Sequence, residues 1–288
     1  MRVYALSDVH ADFRDNLLLI AALSTQDYQA DALILAGDVS HDLGILQRTL
    51  ESFLARFRHV LFVPGNHELW VRKGEQDSLQ KFQAILRLCA SLGVSTAPTC
   101  IGAGEEQVCI VPLFAWYTKP GEGGDTLFRA RPLEEPQAAV WADDYLVRWP
   151  QPNGFKPAHF FTDLNESRVS TDYATRIISF SHFVPRADLI FAAVGEHSTS
   201  PTGYEKHFNF STVAGSTRIE EQIRRLGSEV HVYGHQHRNR RRLYDGTWYV
   251  SNCLGYREER DGGRVRNPAS IVTPVWPLDH LRCAFALS

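Results

Sequence analysis

No stretch of this chain approaches the roughly 18 uninterrupted apolar residues that a membrane-spanning helix needs. The opening run Met1-Arg2-Val3-Tyr4-Ala5-Leu6 meets Asp8 and His10 before the apolar region of a signal peptide can develop. The expectation is a soluble, cytoplasmic protein with no membrane partner. An excess of one charge is lacking too: 30 Lys+Arg stand against 33 Asp+Glu, a formal net charge of -3. That balance does not favour general binding to nucleic acid or to a membrane surface. Cysteine is scarce: Cys89, Cys100, Cys109, Cys253 and Cys283 form an odd set without a CxxC pair. The set argues against a disulfide framework and a cysteine zinc site, and it fits a reducing compartment. There is no internal repeat and no low-complexity tract. With 44% hydrophobic and 22% charged residues the chain has material for a core, which excludes disorder and collagen. Its 288 residues suit one large domain or two small ones at about 150 residues each; the reading adopted is a single domain over 1–288.

Short apolar runs that read as buried strands recur at Val3–Leu6, Ala32–Ala36, Val60–Val63, Val108–Phe114, Ile177–Phe180, Val230–Tyr233, Trp248–Val250 and Ile271–Val275. Helical spacing lies between several of them. Leu43, Leu46, Leu50, Phe53, Leu54 and Phe57 share one face. Leu79, Phe82, Ile85, Leu86, Cys89 and Leu92 share another, with Gly93 where a helix C-terminal glycine belongs. Thr217-Arg218-Ile219-Glu220 has the spacing of a capping box, and that helix is expected to stop at Gly227. Strands alternating with helices indicate an α/β layered fold. One region differs: seven of the 14 prolines fall between Pro112 and Pro157, with Trp116, Tyr117, Trp141 and Trp149 among them. Residues 115–175 therefore read either as an inserted lobe or lid, or as a long ordered surface loop over a satellite core.

The strand ends carry the informative residues. Leu6 leads to Asp8 and His10, Ala36 to Gly37-Asp38, and Val63 to Gly65-Asn66-His67-Glu68. Phe180 leads to Ser181-His182, and Tyr233 to Gly234-His235-Gln236-His237. Five apolar runs each end in Asp, Asn or His, which bind metals through oxygen or imidazole nitrogen. Sites in open α/β sheets form outside the carboxyl ends of the strands, so these ends can converge on one crevice. A pair of divalent cations about 3.5–4 Å apart needs a bridging carboxylate, and Asp38 is the natural candidate. Neutral imidazoles and the amide of Asn66 add ligands without cancelling charge, leaving the site attractive to phosphate. His67, beside Asn66 but aimed elsewhere, is placed to protonate a leaving oxygen.

Asp8-x-His10, Gly37-Asp38, Gly65-Asn66-His67-Glu68, His182 and Gly234-His235-x-His237 resemble the motif series of the calcineurin-like metallophosphoesterases, in order from residue 3 to 238. The resemblance implies a four-layer αββα sandwich of two mixed β-sheets flanked by helices, around a centre of two metal ions (manganese, iron, zinc or mixtures). It implies Asp8, His10, Asp38 and His237 on one ion, and Asp38, Asn66, His182 and His235 on the other. His67 would contact the phosphate and protonate the leaving group. The expected activity is hydrolysis of a phosphate mono- or diester, of a small molecule or nucleotide, by attack of a metal-bridging hydroxide. Val39-Ser40-His41-Asp42 replaces the Asp-Arg-Gly that accompanies this motif in protein serine/threonine phosphatases, which argues against phosphoprotein substrates.

His59, His231 and His280 read as structural, and His41 as a helix-start residue. The run Arg238, Arg240, Arg241, Arg242 reads as a solvated turn or edge strand, from which Arg238 is the arginine best placed to reach a substrate phosphate. Asn66, His67 and Arg238 are thus the substrate-binding candidates. Trp116 and Tyr117 suit packing better than stacking on a base, while His197, Tyr204 and His207 are further residues able to line a pocket. Two other classes compete with the hydrolase: a non-catalytic scaffold, which would be expected to have lost ligands or His67, and a nuclease leaning on the arginine run, which the overall charge does not favour. The sequence leaves the oligomeric state open.

Overall fold

A computed structural model describes the chain except for residues 73, 76, 131–140, 151–153, 192–207, 266–269 and 284–288. Two sheets form its centre. The first has the order β10-β1-β2-β3, from Thr273–Trp276, Val3–Leu6, Ala32–Ala36 and His59–Val63, with only β10 antiparallel to its neighbour. The second runs β4-β5-β6-β7-β9-β8, from Thr99–Ile101, Val108–Pro112, Arg176–Phe180, Val230–Tyr233, Thr247–Ser251 and Arg240–Tyr244. Its four inner strands are parallel and both edges are antiparallel. The sheets pack face to face, β2 against β7 and β3 against β5. Helices cover the outer faces: α1 (Arg14–Ala21), α2 (Leu43–Leu54) and α3 (Ser78–Leu92) pack in sequence, α2 against β3. Of the next helices, α4 (Asp143–Leu146), α5 (Pro157–Val169) and α6 (Thr217–Leu226), the last two pair with each other. Strands covered on both faces have no polar side to show, hence their nearly continuous apolar runs.

Local signals act where the spacing placed them, with two shifts. Gly93 and Gly227 close α3 and α6 with left-handed backbone. The cap of α6 is Ser216 rather than Thr217; its hydroxyl accepts from the Arg218 N–H. At α2 the cap is Asp42, accepting from the N–H groups of Gly44 and Ile45, while His41 stands just before it and 3.2 Å from Asp12.

Two expectations are corrected. Cys100 and Cys109 face each other across the antiparallel β4–β5 pair and are joined as a disulfide. The cysteine count missed this because a three-residue strand leaves no periodic signal, and the reducing-compartment argument lapses with it. The arginine run is an edge strand, as one of its two readings had it, but not a solvated one. Arg240 and Arg242 are buried and donate to the carbonyls of Leu189 and Ile190, and of Asp188 and Phe191. Trp116 and Tyr117 are buried packing residues against Phe183. His197, Tyr204 and His207 lie outside the described residues. No helix among the described residues is long and apolar enough to cross a membrane.

Candidate metal centre

All five polar strand ends meet at one end of the sandwich. The loops after β1 and β2 are joined by main-chain bonds from Asp8 to Gly37, His10 to Asp38 and Ala11 to Val39, at 3.0, 2.9 and 2.8 Å. The His235 N–H donates to Asp8 Oδ1, and the His67 N–H to Asp38 Oδ1. Atoms that could hold a metal ion then cluster in three overlapping groups: Asp8, His10 and His237; His10, Asp38 and His67; Asp38, His182 and His235. Within each group the atoms lie no more than 4.8 Å apart. Asn66 joins the last group, its Oδ1 3.1 Å from His182 Nε2. Asp38 and the three members of each outer group are buried.

Close approach explains the glycines. A Cβ on Gly37 would lie 2.6 Å from the His182 ring, and one on Gly234 2.7 Å from Asp8 Oδ2. Among the described non-glycine residues, seven adopt positive φ, and five of them are Asp8, His10, Asp38, His235 and His237. Such backbone is uncommon outside glycine and concentrates at functional sites.

The chemistry of the donor set fits metal ions. His182 Nδ1 meets the Ala36 carbonyl at 2.9 Å, His235 Nε2 the Val213 carbonyl at 3.0 Å, and His237 Nδ1 the Glu259 carboxylate at 2.6 Å. Assigning protons to these outward nitrogens leaves the inward ones as ligands. The inward nitrogens confront each other: His10 and His237 Nε2 at 3.0 Å, His182 Nε2 and His235 Nδ1 at 3.2 Å. Two lone pairs at that distance repel unless a cation lies between them. Asp38 draws positive charge to the same place. Burial opposes charge on His182, yet the Asp38 carboxylate 3.4 Å away outweighs it and lifts the imidazole to about 9. A metal ion bound at this nitrogen would stand in for that proton.

Several residues to which the sequence assigned no role build the surroundings. Glu68 is fully buried, and its carboxylate accepts the N–H groups of Asp38, Val39, Ser40 and Gly65 at 2.6–2.9 Å. Burial and the nearby Asp38 charge push it up to about 7, while those N–H donors pull the other way. Tyr256 stacks on His10 at 4.5 Å, and Trp70 on His67 at 3.7 Å. Asp143 accepts from Asn66. Glu68 was visible within its motif; Trp70, Asp143, Tyr256 and Glu259 carry no local pattern. His67 stands 3.7 Å from Asp38 Oδ2, and burial lowers it to about 4 despite that carboxylate. Arg238 is half-buried beside His237. His231, on β7, is buried between the hydroxyls of Ser179 and Ser181, a structural histidine.

A layered α/β sandwich with Asp, Asn and His converging at its strand ends has the donor set of a metal-dependent hydrolase. The family model described as calcineurin-like phosphoesterase matches residues 1–239, and the chain belongs to that family. It is 26% identical to the [acyl-carrier-protein] phosphodiesterase PptH of Mycobacterium tuberculosis (strain ATCC 25618 / H37Rv), over 96% of this chain and 83% of that one. The crystal structure of phosphopantetheinyl hydrolase (PptH) from Mycobacterium tuberculosis superposes with a TM-score of 0.75 at 23% identity, covering 96% of each chain.

Proposed function

We propose that Asp8, His10, Asp38 and His237 hold one divalent ion and Asp38, Asn66, His182 and His235 a second, with manganese, iron or zinc as the ions. The observation that carries this is the pair of inward nitrogen contacts at 3.0 and 3.2 Å, on either side of Asp38. Ions held there supply positive charge for the phosphate and make a water acidic enough to serve as the nucleophile. The chain's own residues do the rest. Asp38 offers one carboxylate to both groups, and Asn66 adds a ligand oxygen without adding negative charge. His67 belongs to neither ligand set. It is neutral until an anionic phosphate arrives beside it, which favours its protonated form; it then donates that proton to the leaving oxygen. Trp70 holds the plane of its ring. Asn66, His67 and Arg238 bind the phosphate.

The substrate we propose is a phosphodiester joining a phosphopantetheine group to an acyl carrier protein, as the two names of its Mycobacterium tuberculosis relative PptH suggest. The support is similarity over 96% of the chain. The leaving group of such an ester is an alkoxide, which needs a proton more than a phenolate does, and His67 meets that need. Residues 1–288 acting as one domain with an inserted lobe or lid at roughly 115–175, and a cytoplasmic location, belong to the same proposal.

Manganese-loaded protein should be assayed on a phosphopantetheinylated carrier protein, bis(p-nitrophenyl) phosphate and p-nitrophenyl phosphate. Loss of the phosphopantetheine mass from the carrier protein is expected. His67→Ala should lower turnover about 10²–10⁴-fold while metal analysis still finds two ions per chain. Cleavage of the nitrophenyl esters with an untouched carrier protein would overturn the substrate, and His67→Ala at wild-type rate would overturn the proton donor.

A further inference from the structure

Asp143 opens the short helix α4, in the proline-rich segment, far in sequence from every strand-end motif. It is nevertheless buried, and its carboxylate is saturated with donors from both sides of the site. Oδ1 accepts from Asn66 Nδ2 at 3.0 Å and from the Trp70 indole N–H at 2.6 Å. Oδ2 accepts from the Trp141 indole N–H at 2.7 Å and from the Tyr117 hydroxyl at 3.1 Å. Two bonds on each oxygen fill the four acceptor sites of an ionised carboxylate.

The partners matter more than their number. An asparagine amide has two nearly isosteric ends, and only the oxygen can serve as a metal ligand. Asp143 accepts and cannot donate, so it takes the NH₂ end of Asn66. The oxygen is thereby turned inward, 3.1 Å from His182 Nε2. The same oxygen of Asp143 holds Trp70, whose indole stacks on His67 at 3.7 Å between ring centres. On the other side, Trp141 stands edge-on to His235 at 6.0 Å.

We propose that Asp143 is the positioning residue of this centre: it sets the Asn66 amide oxygen-inward for the second metal ion and, through Trp70, fixes the ring plane of His67. The inference rests on the two-ion reading of the proposed function. It predicts a specific failure. In Asp143→Asn the new amide presents NH₂ to either Asn66 and Trp70 or Trp141 and Tyr117. When it faces Asn66, that amide flips and turns its own NH₂ into the metal site. Outer partners of this kind typically cost 10–100-fold in metal affinity.

The experiment is a calorimetric manganese titration of the full-length protein, with thermal unfolding measured in parallel. Wild type should bind two ions per chain. Asp143→Asn should keep one at wild-type affinity, through Asp8, His10 and His237, and bind the other about 10–100-fold more weakly. Combining Asp143→Asn with Asn66→Asp should restore the second ion, because a carboxylate at 66 has no wrong end and can accept from the new amide. A purely structural role for Asp143 gives no such rescue. If Asp143→Asn does not fold, Trp70→Phe tests the other arm: kcat falls several-fold with two ions and KM retained. Two tight ions in both Asp143→Asn and Asp143→Leu, the second leaving Asn66 no acceptor in either orientation, or no rescue of a weakened ion in the double variant, or an unchanged kcat in Trp70→Phe, would overturn the proposal for the arm concerned. Fewer than two ions in wild type would instead overturn the two-ion reading, and this inference with it.

Discussion

A single added carbon at Gly65 should disable the site without disturbing the fold elsewhere. Gly65 has no positive φ to defend, so replacing it with alanine carries no backbone strain, and the effect is steric. The new Cβ would sit 2.2 Å from Asp38 Oδ1, 2.8 Å from the Asp38 main-chain nitrogen and 2.8 Å from His182 Cδ2. None of these can retreat freely. The Asp38 N–H is bonded to Glu68, and the His182 ring to the Ala36 carbonyl. Reaching even the 3.4 Å of an ordinary contact requires Asp38 Oδ1 to move by more than 1 Å. A misplacement of about 1 Å in a reacting geometry costs about 100-fold, which is about 2.7 kcal/mol of transition-state stabilisation. The assay is kcat/KM on a phosphodiester with manganese in excess, together with metal content and the far-ultraviolet circular dichroism spectrum. Gly124→Ala is the control, since a Cβ there meets nothing within 4 Å. Gly65→Ala with activity within twofold of Gly124→Ala and two bound ions would refute the steric argument and the position of Asp38 with it.

Two further outcomes concern buried groups away from the substrate. His231 is fully buried and held down to about 3 by burial. Its folded value lies below the unfolded one of about 6.5, so protonation favours unfolding, and stability is lost as pH falls below about 6.5. Urea titrations should show wild type losing about 2 kcal/mol more than His231→Gln between pH 7 and pH 5; equal losses would show that the imidazole is not held neutral. In Glu68→Gln, the amide NH₂ must face two of the four backbone N–H donors. Each orphaned N–H costs about 1–3 kcal/mol, partly offset by relief of a carboxylate buried beside Asp38, so melting should fall by several degrees and the second ion should bind more weakly. An unchanged melting temperature and metal affinity would count against Glu68 as the clamp of these loops.

Much of the fold was legible because its strands are buried on both faces and punctuated by glycine. Val3–Leu6 and Ala32–Ala36 coincide with the apolar runs residue for residue. The elements that were not legible share a physical reason: their burial is satisfied by partners distant in sequence. Arg240 and Arg242 resemble a surface run until the carbonyls of residues 188–191 supply their acceptors. Asp143 is one acid among several until Asn66, 77 positions away, turns its amide towards it. The ligand motifs show the same limit from the other side. Residue types and order announced a metal site, but not the left-handed backbone of Asp8, His10, Asp38, His235 and His237. Conformations of that kind cost of order 1–3 kcal/mol each and persist only where the surroundings over-determine them. Here the surroundings are the other ligand loops: Asp8 N–H on Gly37, His10 N–H on Asp38, His235 N–H on the Asp8 carboxylate. Each loop holds its neighbour in the shape that neighbour would not adopt alone. The centre is therefore one cooperative unit, and a change in any loop should be felt by ligands on the others before it is felt by the sheets beneath.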